Sequence, residues 1–382
     1  MLKKFNQRKT WMLPAVNAVL SFFFHEKKYN TPVDFKSAKH VLIIDYALIG
    51  DSVMSTSFLR IIKKNIPGCC LTLVCSKSEK EILEDQEIVD DFITIRLEAL
   101  TDTAGIIKNH KYIRKTAERI NQKSYSFAIE LRGDIRFIYL MHLCNAERKI
   151  SYNYTGGECF LTDVITPSDK IVHVVEDKLY LLKRIGMKFS KEEAFPRLDQ
   201  TEEGKAYAQK FMVKHGVKDT FLIGMHPGAS MPVRNWKHYP ELLELLNTKI
   251  PDASFLIFEG PKEKETAAQM SAAAQKAGAA AVRVRKKIKD YMNLIGSCDI
   301  VICNDSGAGH IAAAMGVKTY VIFGPALPEE VRPYKESGVY CFSFQELSCK
   351  PCRMGTCRNH GACLEGIKAE DVCRKIMETI EK

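Results

Sequence analysis

Short, unbroken apolar runs alternate with helix-spaced segments along most of this chain, and that alternation leaves few folds open. His40-Val41-Leu42-Ile43-Ile44-Asp45 is apolar up to a polar stop, the pattern of a strand buried on both faces of a parallel sheet. Ser52 to Asn65 follows with helical spacing. Val53, Phe58, Ile61 and Ile62 share a face, Lys63 and Lys64 lie at the C-terminal end, and Pro67-Gly68 stops the run. Leu71 to Cys75 then completes a βαβ unit, whose crossover is expected to be right-handed. The alternation continues through strand-like Phe92 to Ile95 and Phe127 to Leu131, with helical Ile113 to Gln122, Ile135 to Leu143 and Val172 to Ile185. Tyr152 to Pro167 has no periodicity and reads as loop.

Phe189 to Thr201, which contains Pro196, reads as a linker, and after it the pattern restarts. Phe221 to Met225, Ser254 to Phe258, Cys298 to Cys303 and Thr319 to Phe323 are strand-like. Tyr239 to Thr248 and Thr266 to Lys276 are helical, and another helix begins near His310. The expected organisation is α/β: a basic amphipathic extension over 1–36, then two Rossmann-like parallel-sheet domains over 37–195 and 202–382. Ligands of such sheets bind at the C-terminal ends of the strands, so the loops there are the candidates for function.

Composition closes off other classes. A hydrophobic fraction of 46% with 27% charged residues is that of a globular protein, not of a disordered or collagen-like chain. The net charge of +10 comes from scattered Lys and Arg, without the stripe of a nucleic-acid binder. No apolar run reaches the ~20 residues of a membrane span. The nearest, Trp11 to Phe24, is broken by Pro14, Asn17 and Ser21, follows Lys3, Lys4, Arg8 and Lys9, and runs into His25-Glu26-Lys27-Lys28 without a small-residue cleavage site. It reads as an amphipathic segment, either packed on the protein body or lying on a membrane surface with Trp11 and the Phe side chains in lipid. A cleaved signal is the third reading. A chain of this length does not need disulfides, so its 13 cysteines point to a reducing cytosol.

Gly307-Ala308-Gly309-His310-Ile311-Ala312 fits the dinucleotide fingerprint G-x-G-x-x-A. The next strand, however, ends in Gly324-Pro325 rather than in an acidic ribose ligand, which argues against a redox dinucleotide. What survives is the physics: free amides at a helix start bind phosphate, and Asp305 is placed as the cap of that helix. No P-loop, H-E-x-x-H or G-x-S-x-G occurs, and no Asp-x-Asp pair that would hold a metal-bound nucleotide diphosphate. Asp51 follows Gly50 at the expected start of the first helix, where the dipole stabilises a carboxylate. It reads both as a helix cap and as a general base. Cys349, Cys352, Cys357 and Cys363 make C-x2-C-x4-C-x5-C. Thiolates at that spacing can close a tetrahedral Zn or Fe site of structural type; disulfides and free thiols stay open beside it.

Taken together, the loops resemble glycosyltransferase family 9, the heptosyltransferases that add heptose to lipopolysaccharide core. The resemblance runs from about His40 to Lys375. It rests on Ile44 to Thr56 with Gly50-Asp51, Ala128 to Gly133, His226-Pro227-Gly228-Ala229 with Arg234-Asn235-Trp236, Gly260-Pro261, and Asn304-Asp305-Ser306-Gly307 with His310. It implies a GT-B architecture, two Rossmann-like domains facing across a cleft, the first taking the acceptor and the second the nucleotide sugar. It implies inverting, metal-independent transfer from an ADP-sugar to a lipid-linked acceptor, at the inner face of the cytoplasmic membrane. By position, Asp51 matches the catalytic base. Arg234 stands where relatives carry Lys, against the donor phosphate. Asp305, Ser306, Gly307 and His310 match the pyrophosphate loop, and His226 and Gly228 join the donor site. Glu263 or Glu265 matches an acidic residue at the ribose. Some relatives also carry a C-terminal Cys cluster. A protein acceptor, such as an adhesin, and a metal-stabilised binding module without turnover are the competing readings.

Overall fold

A computed structural model of the chain describes residues 20–29, 31–35, 37–96, 109–217, 221–260, 263–344, 347–352 and 357–380. Residues 1–19, which carry most of the amphipathic reading, lie outside them. The chain divides into two compact units, Met1–Ala194 and Phe195–Lys382.

The first unit holds a six-stranded sheet of β1 (His40–Ile44), β2 (Cys70–Cys75), β3 (Asp91–Thr94), β4 (Tyr125–Glu130), β5 (Ala146–Tyr152) and β6 (Asp163–Ile165). The order is β3-β2-β1-β4-β5-β6 and every pairing is parallel. Val41, Leu42, Ile43 and Ile44 are all buried, as a strand covered on both faces requires. The second unit repeats the plan with β7 (Leu222–His226), β8 (Ser254–Phe258), β9 (Ala280–Val284), β10 (Ile300–Asn304), β11 (Lys318–Phe323) and β12 (Val339–Ser343), in the order β12-β11-β10-β7-β8-β9, again parallel. Each sheet is doubly wound, and each has one point where the strand order reverses: between β1 and β4, and between β7 and β10. Crevices at such points are where ligands bind.

Two local expectations are corrected. The run Ser52 to Asn65 is two helices, Ile49–Met54 and Thr56–Asn65; at the break, the Ser55 hydroxyl bonds back to the Asp51 carbonyl at 3.0 Å, a contact that bends helices. The stretch 152–167 contains a 3-10 turn, Glu158–Phe160, and β6. β5, with its Glu147-Arg148-Lys149, does not look like a strand because its charges are answered from elsewhere in the chain. Arg148 pairs with Asp163 and donates to the Thr31 carbonyl, while Lys149 pairs with Glu26 at 2.6 Å. Glu26 also meets His142 at 2.8 Å, and Lys28 donates to the Glu158 and Leu161 carbonyls. Residues 24–29 and 31–32 are thereby strapped across the β5–β6 edge, while Phe22 and Phe23 remain 79% and 70% exposed. Among the described residues no helix is long and apolar enough to cross a membrane.

Candidate active site

In the first unit the reversal point carries Asp51 and Arg132. Asp51 lies in the first turn of the helix Ile49–Met54; the N-cap position is Leu48, so Asp51 is not the cap. Arg132 belongs to the turn after β4. Glu130 shapes that turn by accepting from the amides of Arg132 (3.0 Å) and Gly133 (2.7 Å) and from the Ser151 hydroxyl (2.6 Å). Burial pushes the Glu130 carboxyl up to about 8, against the pull of the Ser151 hydroxyl. Gly133 is required there: it sits at φ +62°, and a Cβ would lie 2.7 Å from the Tyr154 ring. The Arg132 guanidinium donates to the Tyr46 carbonyl at 3.0 Å and lies 3.6 Å from the Asp51 carboxylate. Asp51 and Arg132 keep 29% and 40% of their side-chain surface exposed, so an incoming hydroxyl can reach the carboxylate.

In the second unit the reversal point gathers residues far apart in sequence. The Asn304 side chain, at the end of β10, donates to the Pro227 carbonyl at 2.7 Å and accepts from the Trp236 amide at 3.2 Å. It thus ties the loop after β7 to the segment carrying Arg234. Trp236 is buried and its indole N–H donates to the Ile367 carbonyl at 2.9 Å. Arg234, in the 3-10 turn Pro232–Arg234, pairs with Asp305 at 2.9 Å. Asp305 is therefore not the helix cap expected of it. Ser306 holds the N-cap position, and the helix Gly307–Ala314 already begins at Gly307, three residues ahead of His310. Ser306 makes no side-chain capping bond, and its Oγ, like Arg234 Nε, is buried without a hydrogen-bond partner among the described residues. Buried polar atoms of this kind are costly unless a bound anion satisfies them. Gly309 serves packing: a Cβ there would lie 2.9 Å from Cys303 Sγ. His310 is buried in the same helix.

The structure separates the two glutamates between which the sequence could not choose. Glu263 is buried and Glu265 exposed. Glu263 lies where Gly228 and Gly260 leave space: a Cβ on Gly228 would come within 1.9 Å of its Cγ, and one on Gly260 within 2.3 Å of its Oε2. His226 contacts the Tyr291 hydroxyl through Nδ1 at 3.1 Å, and burial lowers its pKa to about 4, so the ring is neutral at physiological pH. Arg132 and Tyr291 were not among the sequence-derived site residues. For Arg132 the sequence signal was the stretch Ala128 to Gly133 with its turn after an apolar run; for Tyr291 there was none.

All thirteen cysteines stand as free thiols in the structure. Cys349, Cys352, Cys357 and Cys363 line one small pocket of about 20 Å³ with Val233 and Pro325, and Cys357 Sγ accepts from the amides of Asn359 and Gly361. Among the described residues, however, no three His, Cys, Asp or Glu side chains stand close enough together to hold a metal ion.

The reversal point of one doubly wound parallel sheet carries an accessible carboxylate, and that of the other an arginine with unsatisfied buried polar atoms. The profile of glycosyltransferase family 9 (heptosyltransferase) matches residues 113–362. The chain belongs to that family, a family of enzymes. It is 27% identical over 180 residues to the lipooligosaccharide heptosyltransferase 2 of Campylobacter jejuni subsp. jejuni serotype O:6, across 46% of this chain and 54% of that relative, so it spans about half the relative's length. It is 22% identical over 305 residues to the lipopolysaccharide heptosyltransferase 2 of Escherichia coli K12, across 77% of this chain and 85% of that one. The fold is that of the E. coli ADP-heptose lipopolysaccharide heptosyltransferase II structure, with a TM-score of 0.73 at 18% identity over 89% of this chain and 98% of that chain. It is therefore a GT-B-type pair of Rossmann-like units.

Proposed function

We propose that this protein is an inverting, metal-independent glycosyltransferase that moves a heptose, or a related sugar, from an ADP-sugar to a lipopolysaccharide core or a related surface glycan. The observation that carries this reading is the pair of reversal-point sites: a solvent-reachable Asp51 beside Arg132 in one unit, and the Arg234–Asp305 pair with the orphaned Ser306 hydroxyl in the other. Asp51 takes the proton of the acceptor hydroxyl, whose oxygen attacks the anomeric carbon as the bond to the diphosphate breaks. The departing ADP gains negative charge. Arg234, oriented by Asp305, the Ser306 hydroxyl and the first amides of the helix Gly307–Ala314 receive it. Gly228, Glu263, His226 and His310 complete the donor side, with Glu263 accepting from the ribose. The exposed Phe22 and Phe23, following basic Lys3, Lys4, Arg8 and Lys9, support peripheral contact with the inner face of the cytoplasmic membrane. That is where a lipid-linked acceptor would be met.

The test is ADP release from ADP-heptose by the purified chain, with heptose-deficient lipopolysaccharide core or an adhesin as acceptor and with chelator present. Release with the core, undiminished by the chelator, is expected. Release only with the protein acceptor would move the substrate, and no release with either would end the transferase reading. A second proposal, a structural Zn or Fe on the four cysteines, rests on their lining one pocket and requires their thiols to draw closer together than they stand in this structure. Elemental analysis should then find one such ion per chain, lost in Cys352→Ser/Cys357→Ser; a metal-free active protein would overturn this.

A further inference from the structure

Beneath Asp51 lies a charged cluster that the transfer step does not use. Lys178, on the helix Val174–Arg184, is buried (side chain 5% exposed) and faces Asp45, whose side chain is fully buried, at 3.0 Å. Its ammonium has three protons and finds three acceptors: Asp45 Oδ2, Ser55 Oγ and, at 3.4 Å, the carbonyl oxygen of Asp51 itself. The Ser55 hydroxyl lies within bonding distance of both the Asp45 carboxylate and the same Asp51 carbonyl. Between these anchors the strand-to-helix connection is fixed again. The Ala47 amide donates to buried Glu79, the Ala47 carbonyl accepts from Ser76, and the Tyr46 carbonyl accepts from Arg132. The segment from Asp45 to Asp51 is therefore clamped at successive points, and the clamp at the Asp51 end comes from a helix more than a hundred residues away in sequence.

An ion pair this deeply buried is a poor source of stability. Its desolvation is costly, and well-packed apolar residues in its place often do as well or better. What it provides is a discrete position, because the acceptors of one ammonium cannot slide past one another without breaking bonds. We propose that Lys178 is a positioning residue for the reaction: through Asp45, Ser55 and the Asp51 carbonyl it holds the first turn of the helix Ile49–Met54 so that the Asp51 carboxylate meets the acceptor hydroxyl. This rests on the reading of Asp51 as the base.

The experiment is the paired apolar substitution Asp45→Leu/Lys178→Met, which removes both charges together, with Ser55→Ala as a smaller truncation and Asp51→Asn in parallel. The double variant should retain the parent's circular dichroism spectrum and bind ADP normally, while its kcat falls about 100-fold, the size of effect a misplacement of about 1 Å has. The KM for ADP-heptose should stay within about threefold, because ground-state donor contacts are untouched. Ser55→Ala should lower kcat about tenfold in the same pattern, and it decides the matter if the double variant does not fold. Near-parental kcat in the folded double variant, or in Ser55→Ala, overturns the proposal. If Asp51→Asn itself keeps its turnover, the base assignment has failed instead, so the two failures are distinguishable.

Discussion

Asp51→Asn should lower kcat by about 10³-fold, within the range that removal of a general base produces, and leave ADP binding within about twofold of the parent. The substitution is close to isosteric, so the helix Ile49–Met54 keeps its shape, and the backbone carbonyl of residue 51 still accepts from Lys178 and Ser55. Only the capacity to take a proton is lost. The nearby carboxylates among the described residues do not substitute: Glu130 is fully buried under its own turn, and Asp45 and Glu79 are sealed beneath the segment that carries Asp51. Arg132, 3.6 Å away, cannot act as a base itself. Single-turnover measurement with saturating donor separates this loss of chemistry from a change in product release. Parental single-turnover rates in the variant would remove Asp51 from the mechanism.

How much of this was legible in the sequence follows from burial. β1, β2, β4, β7, β8, β10 and β11 lie inside their sheets, so they appear as continuous apolar runs. The edge strands β6, β9 and β12 do not, because an edge strand tolerates polar residues, although the edge strand β3 still reads as apolar; β5, inside its sheet, is hidden instead by charges that Glu26 and Asp163 meet. The polar helix Glu202–Lys214 and the helices Ile288–Ile295 and Ala369–Ile380 also escaped notice, the last being packed into the core of the second unit through Val372, Cys373 and Ile376. Of the candidate site, Gly50-Asp51 and Asp305-Ser306-Gly307 were visible because loops after buried strands are short and chemically distinctive. The cap assignment of Asp305 failed because an arginine from a separate loop claims its carboxylate. That Glu263 is buried while Glu265 is exposed follows from the space left by Gly228 and Gly260, which no local pattern records. Lys178 gave no signal either, since its partners Asp45 and Ser55 come from the opposite end of the unit.

Gly228→Ala should raise the KM for ADP-heptose by about one to two orders of magnitude, equivalent to about 1.4–2.8 kcal/mol, with a smaller fall in kcat. Unlike several other glycines of this chain, Gly228 has no positive φ, so the argument is one of space alone. An added methyl would lie 1.9 Å from Glu263 Cγ, 2.6 Å from Cδ and 2.8 Å from Oε1, distances at which something has to move. Gly260 crowds the same carboxylate from the other side, and the Glu263 amide is tied to the Gly260 carbonyl at 3.4 Å. The side chain must therefore leave the crevice rather than shift within it, which takes the proposed ribose acceptor away. Overpacking of this kind also destabilises by about 1–3 kcal/mol, so a thermal melt of the second unit should fall in parallel. The double variant Gly228→Ala/Glu263→Ala resolves the two effects. With the glutamate truncated the methyl fits and the melting temperature should recover, while the donor KM stays high because the carboxylate is gone. Recovery of both would mean that Glu263 does not touch the nucleotide. Recovery of neither would place the damage in the His226–Ala229 backbone itself, whose position Asn304 fixes through the Pro227 carbonyl.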